Sequence, residues 1–144
     1  MQPSKKIQLL LCVVLLATAA ACRAKDASTA AGTASVRVTD VTLGRSVGGD
    51  KAITDRTETF KPNDTIYVSV ATDGAAPTAT LRAKWSFESG QLVDESTRTI
   101  APVNKERTEF HIAKPDGWPA GKYKLEVFLN DQSAETKSFD VRGS

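Results

Sequence analysis

Asp116-Gly117-Trp118-Pro119-Ala120-Gly121-Lys122-Tyr123-Lys124-Leu125-Glu126-Val127 is the stretch that decides the fold. Asp116–Lys122 is a turn, and from Tyr123 onward apolar and polar residues alternate. Successive side chains of a strand point to opposite faces, so a period of two marks a half-buried β-strand. Tyr123, Leu125, Val127 and Leu129 therefore face a core, while Lys124, Glu126 and Phe128 face away from it. Asn130 to Ser133 reads as a turn, and Phe139 and Val141 complete a returning strand, which makes the segment a hairpin.

The same period recurs upstream. Val36 and Val38, then Val41 and Leu43, form a first strand whose phase slips by one residue near Asp40, as it does at a bulge. Gly44 to Lys51 is expected to be a loop, and Ala52 to Phe60 a weaker strand ending at the turn Lys61-Pro62-Asn63-Asp64. Ile66, Val68 and Val70 alternate with Tyr67 and Ser69. Beyond Asp73-Gly74 and Pro77, Leu81, Ala83, Trp85 and Phe87 alternate with Arg82, Lys84 and Ser86. Ser89-Gly90 leads into a polar strand, Gln91 to Ile100, and Phe110 and Ile112 then alternate with Glu109 and His111. Seven or eight short strands with regularly spaced turns, and no competing amphipathic helix, predict an all-β antiparallel sandwich over residues 35–142.

Two aromatics refine this expectation. Trp85 lies in the third main strand, where the immunoglobulin-like fold buries its tryptophan, and Tyr123 opens the penultimate strand, the place of the tyrosine corner. The Trp118-Pro119-Ala120-Gly121-Lys122-Tyr123 run resembles the Trp-Pro-x-Gly-x-Tyr approach to the late strands of immunoglobulin-like domains in bacterial envelope proteins. That resemblance covers residues 100–142 and implies a fold rather than a ligand. It makes Trp85 and Tyr123 structural core residues. The inter-sheet disulfide of antibody domains is absent, so packing alone must hold the sheets together.

The N-terminus reads as an export signal. Lys5 and Lys6 precede an uncharged, mostly apolar run from Ile7 to Ala21, shorter than the roughly 20 residues of a bilayer-spanning helix and ending in small residues. Ala19-Ala20-Ala21-Cys22 resembles the lipobox of bacterial lipoproteins, departing from it at Ala19, where Leu is commoner. The resemblance implies a signal peptide over residues 1–21 and a diacylated Cys22 as the new N-terminus. Ordinary cleavage after Ala19 or Ala21, leaving Cys22 a free thiol, is the competing reading. Arg23 rather than Asp after the cysteine implies, by the same resemblance, the outer membrane, with the protein facing the periplasm. Residues 22–34 hold small residues, Ser and Thr with no large apolar side chain, the composition of a flexible tether.

Charge and composition narrow the function. The 144-residue chain has 19 Lys+Arg against 17 Asp+Glu, and the excess equals the two signal lysines. Basic and acidic residues interleave along the strands, leaving no electrostatic footprint for nucleic acid. Two Cys and one His cannot build a Cys/His zinc site, a disulfide framework or a haem pair. Gly44-Arg45-Ser46-Val47-Gly48-Gly49 lacks the Gly-Lys-Ser/Thr ending of a phosphate loop. Asp50, Asp55, Glu58 and Asp64 match no EF-hand spacing. His111 and Glu109 lie two apart on one strand face, able to pair, but no recognisable nucleophile motif accompanies them.

A non-catalytic protein without metal or cofactor is therefore expected. Three aromatics are candidate binding residues: Trp118, which either plugs the end of the sandwich or projects as an anchor; Phe128, on the outer face beside Arg82 and Lys84; and Tyr67. The leading expectation is an envelope lipoprotein whose domain binds or scaffolds another envelope protein. A carbohydrate- or peptidoglycan-binding module, with these rings stacking on sugars, is the alternative.

Overall fold

The computed structural model describes residues 35–143. The signal segment 1–21, Cys22 and the tether 22–34 lie outside the described residues. Nine strands follow in order: β1 (Arg37–Val47), β2 (Ile53–Arg56), β3 (Thr59–Phe60), β4 (Ile66–Asp73), β5 (Ala79–Phe87), β6 (Gln91–Ile100), β7 (Glu106–Ile112), β8 (Gly121–Leu129) and β9 (Gln132–Val141). They form a four-stranded sheet, β2-β1-β4-β7, facing a five-stranded sheet, β3-β9-β8-β5-β6. Among the described residues no helix is long and apolar enough to cross a membrane.

Alternation places the core where the sequence pattern puts it. Val41, Leu43, Ile66, Val68, Val70, Phe110 and Ile112 come from the first sheet, and Leu81, Ala83, Trp85, Tyr123, Leu125, Val127, Phe139 and Val141 from the second. Trp85 is completely buried and meets the edge of Phe139, ring centroids 5.9 Å apart; Phe139 also receives Phe60 edge-on at 5.6 Å and stacks on Tyr123 at 5.2 Å. All four rings come from the inner face of the second sheet, each pair adding about 0.5–1.5 kcal/mol beyond burial. Among the described residues the indole Nε1 of Trp85 has no hydrogen-bond partner, so packing outweighs an unmade bond there.

The phase slip near Asp40 is a bulge. Val38 opposes Thr72 and Asp40 opposes Ala71, so Thr39 is the extra residue, and Val41 and Leu43 return to the core face. Tyr123 forms the tyrosine corner: its hydroxyl donates to the carbonyl of Pro119 at 2.7 Å. Asn130 and Asp131, with φ of 49° and 63°, make the two-residue turn between β8 and β9, tighter than Asn130 to Ser133.

Three expectations are corrected. Gly44 to Val47 is strand, not loop, and pairs with β2 across register shifts. Gly44 reads as a breaker but is required by close approach, since a Cβ there would overlap the Asp55 carbonyl and the Ile53 side chain. The weak strand Ala52–Phe60 is two strands: β2 belongs to the first sheet, and after Thr57-Glu58 the chain enters the second as β3. This raises the count to nine. The sandwich is also not wholly antiparallel, because Thr59 and Phe60 run parallel to Asp140 and Val141.

Candidate functional site

The turn Asp116–Lys122 positions Trp118 at the end of the sandwich from which β8 starts. Its backbone N–H donates to the Pro62 carbonyl at 2.7 Å and its indole Nε1 to the Asp64 carbonyl at 2.9 Å, while its ring meets Tyr123 edge-on at 6.0 Å. The residue is 4% exposed. Trp118 thus packs as a plug rather than projecting, with both N–H groups bonded inward and the ring against the corner tyrosine.

Around this plug the sandwich is open. β6 and β7 are terminal strands of their sheets, and the start of β6 lies beside the end of β7. A cleft of about 250 Å³ runs between Leu92, Val93, Phe87, Lys114 and Pro119, with Trp118 in its wall. Leu92 is 56% exposed. A neighbouring cleft shares Val93, Lys114 and Trp118 and continues to Asp94 and His111. Sequence reasoning missed Leu92, because a single apolar residue opening a polar strand carries no periodic signal.

His111 leads from this groove onto the outer face of the first sheet. Its Nδ1 lies 2.6 Å from Glu109 Oε1, and its ring sits 5.4 Å from that of half-buried Tyr67, directly across the β4–β7 ladder. An imidazole–carboxylate pair can serve acid–base chemistry only beside a reacting group, and among the described residues His111 bonds to no hydroxyl. Ser69, on the same face, is buried beneath Arg107, whose guanidinium donates to its hydroxyl at 3.4 Å.

Phe128 stands apart from this region. It lies opposite Arg82 on the outer face of the second sheet, and the Arg82 guanidinium covers its ring at 4.2 Å from the centroid. Arg82 is fixed in turn by Glu95 at 3.2 Å and Asp131 at 3.3 Å. A ring covered in this way offers little to a partner. Of the three aromatic candidates, Trp118 and Tyr67 are linked through His111, and Phe128 is separate.

The acidic residues do not assemble. Arg45 donates to Asp55 at 3.0 Å and approaches Asp64 at 3.9 Å, and the bond and charge of Asp55 hold its guanidinium more firmly protonated. Among the described residues no group of three His, Cys, Asp or Glu is placed to hold a metal ion. Burial, with the charge of Glu88 second, pushes the Tyr123 phenol above its ordinary value near 10.

No family model and no curated protein matches the sequence. Solved structures do match the fold. An immunoglobulin-like protein from Pseudomonas aeruginosa superposes with a TM-score of 0.51 at 20% identity, covering 77% of this chain and 99% of that one. A beta-glucosidase from Listeria innocua matches at 0.51 and 7% identity, over 76% of this chain but 16% of the enzyme. A cycloisomaltooligosaccharide glucanotransferase from Paenibacillus sp. matches at 0.50 and 15% identity, over 77% of this chain and 14% of the enzyme. These likenesses define the class by fold: the chain carries an immunoglobulin-like β-sandwich. At such identities they carry no activity with them.

Proposed function

We propose that this protein is a non-catalytic, lipid-anchored component of the bacterial envelope that binds another envelope protein by strand addition along β6. The observation that supports this reading is the edge itself. β6 is ten residues long, ends its sheet, and has β5 as its one ladder neighbour. Of the other margins, β7 has seven residues, β2 four and β3 two, with β3 covering only Asp140 and Val141 of β9. An added strand gains affinity from main-chain hydrogen bonds and specificity from pockets for alternate side chains. The cleft beside Leu92 and Trp118 supplies such a pocket for an apolar residue.

Asp94, Glu95 and Arg98 make the edge selective. Charges on an exposed edge discourage indiscriminate pairing, and Arg98 further guards the open side by reaching to 5.9 Å from the Phe110 ring. A partner strand with complementary charges satisfies them. Acylation of Cys22 holds the domain at a membrane through two or more acyl chains, enough for stable anchoring.

The test is a photo-crosslinking residue at Thr97 in intact cells, with Lys137 on β9 as the control position. A discrete adduct at Thr97 alone is expected. Its partner, identified by mass spectrometry and purified, should slow amide exchange along β6. Absence of a specific adduct, or unchanged β6 exchange with the partner bound, overturns the reading. Palmitate labelling lost on Cys22→Ser checks the anchor separately.

A further inference from the structure

The two ends of the sandwich are built from different chemistry. At the end where β1 begins, two loops carry Ala75, Ala76 and Pro77 and Ala101, Pro102 and Val103, which line an open apolar cleft of about 570 Å³. The Ala76 N–H donates to the Pro102 carbonyl at 2.9 Å, tying the loops into one ledge. Val103 is 77% exposed, more than Leu92 at the other end. Loops ordinarily meet water with polar side chains, and these six residues have no polar side-chain atom. Charges stand around the ledge: Lys105 follows it, and Arg37 pairs with Asp73 at 2.7 Å. An exposed apolar patch with a polar rim marks a protein or membrane contact.

We infer that this ledge rests on the surface of the lipid bilayer. The inference deepens the proposed function, since it rests on reading residues 22–34 as a tether from an acylated Cys22. Ser35, where that tether joins the domain, lies on the rim of the cleft, so this end is the one drawn to the membrane. On that reading, twelve residues of linker composition have a reach of roughly 20 Å, less than the roughly 30 Å length of a nine-residue strand such as β8. The opposite end, with Leu92 and Trp118, is therefore held outward on average. A short tether also imposes a millimolar effective concentration, at which contact through Val103, Pro77 and the neighbouring alanines suffices to orient the domain without strong intrinsic affinity. Mixed charge at the rim makes the contact apolar rather than electrostatic, and thus insensitive to moderate salt.

The experiment uses the chain from Cys22, whose sole thiol is then Cys22, coupled through it to a maleimide phospholipid in nanodiscs of phosphatidylethanolamine and phosphatidylglycerol. Gadolinium-bearing lipid broadens amide signals near the surface. Amides of Ala76, Ala101 and Val103 should relax at least threefold faster than those of Gly90 and Gly117, and Val103→Asp should abolish the difference while leaving the melting temperature unchanged. Equal relaxation at both ends, or faster relaxation at Gly90 and Gly117, overturns the inference. Because the lipid is attached chemically, this outcome does not depend on acylation in cells. Intact mass of the chain isolated from cells, with and without Cys22→Ser, decides that question independently.

Discussion

Replacing Trp118 by Ala separates a plug from a ligand platform. The structure sets the magnitude. Nearly all of the indole is buried, and Trp→Ala in a core costs about 3–5 kcal/mol. The bond to the Asp64 carbonyl contributes about 1 kcal/mol of this, and the edge contact with Tyr123 about 0.5–1.5 kcal/mol. The residue borders two clefts open to solvent, so water enters the space it vacates and the loss falls near the lower figure, about 3 kcal/mol. At roughly 4 °C per kcal/mol for a domain of this size, the melting temperature should fall by about 12 °C. Urea unfolding of wild type and variant should show a lower midpoint with unchanged slope, the sign of lost stability in an intact two-state fold. Trp118→Phe, which keeps a ring on Tyr123 but loses the bond, should fall between them. A loss below about 1 kcal/mol for Trp118→Ala, with weakened retention on a glycan, would refute the packing argument and restore the carbohydrate reading.

Four further outcomes are expected. Tyr123→Phe deletes the corner bond while keeping the ring stacked on Phe139 and should cost about 1–2 kcal/mol in thermal unfolding. The Tyr123 phenol titrates higher in the folded chain than in the unfolded one, so its contribution is whole below the unfolded value near 10 and is lost as pH rises through the folded one. Alkaline melts should accordingly show a steeper decline for wild type than for Tyr123→Phe. Trp85→Ala should lose about 3–5 kcal/mol, and a loss below about 1 would refute its core placement; Trp85→Phe, which also removes an unbonded N–H, should lose less. Gly44→Val drives a side chain into β2 and should destabilise by about 1–3 kcal/mol or shift the β1–β2 register, visible as altered cross-strand nuclear Overhauser effects. Arg82→Ala uncovers Phe128 and should cost about 1 kcal/mol, read from urea unfolding.

The hydrophobic pattern made much of the architecture legible. Where one face is buried, a strand cannot slip by one residue without turning its apolar set outward, and hence β4, β5, β7 and β8 follow their alternation. Even the bulge at Thr39 showed as a slip of phase between Val38 and Val41. Gly44 misled because a glycine that ends a strand and one that admits a neighbouring backbone look alike without the neighbour. The division of Ala52–Phe60 was hidden because its switch of sheets depends on where β1 and β9 already stand. The candidate site was less legible. Trp118 and Tyr67 were visible as aromatics, but the fate of an indole depends on carbonyls at Pro62 and Asp64, more than 50 residues away. Arg82 over Phe128 was readable, since opposing positions on adjacent strands follow once the alternation of β5 and β8 is known.

The passage of one short segment from β2 into β3 has a mechanical consequence. Because residues 53–60 are stitched first to β1 and then to β9, neither layer can peel away without pulling on the other. The Asp140 and Arg142 N–H groups bond to Glu58 and Phe60 carbonyls on this same lace. A load applied near the end of β9 is therefore borne in shear along a parallel pair rather than unzipped rung by rung. In a domain without a disulfide, the crossing acts as a clasp that needs no oxidant to close it.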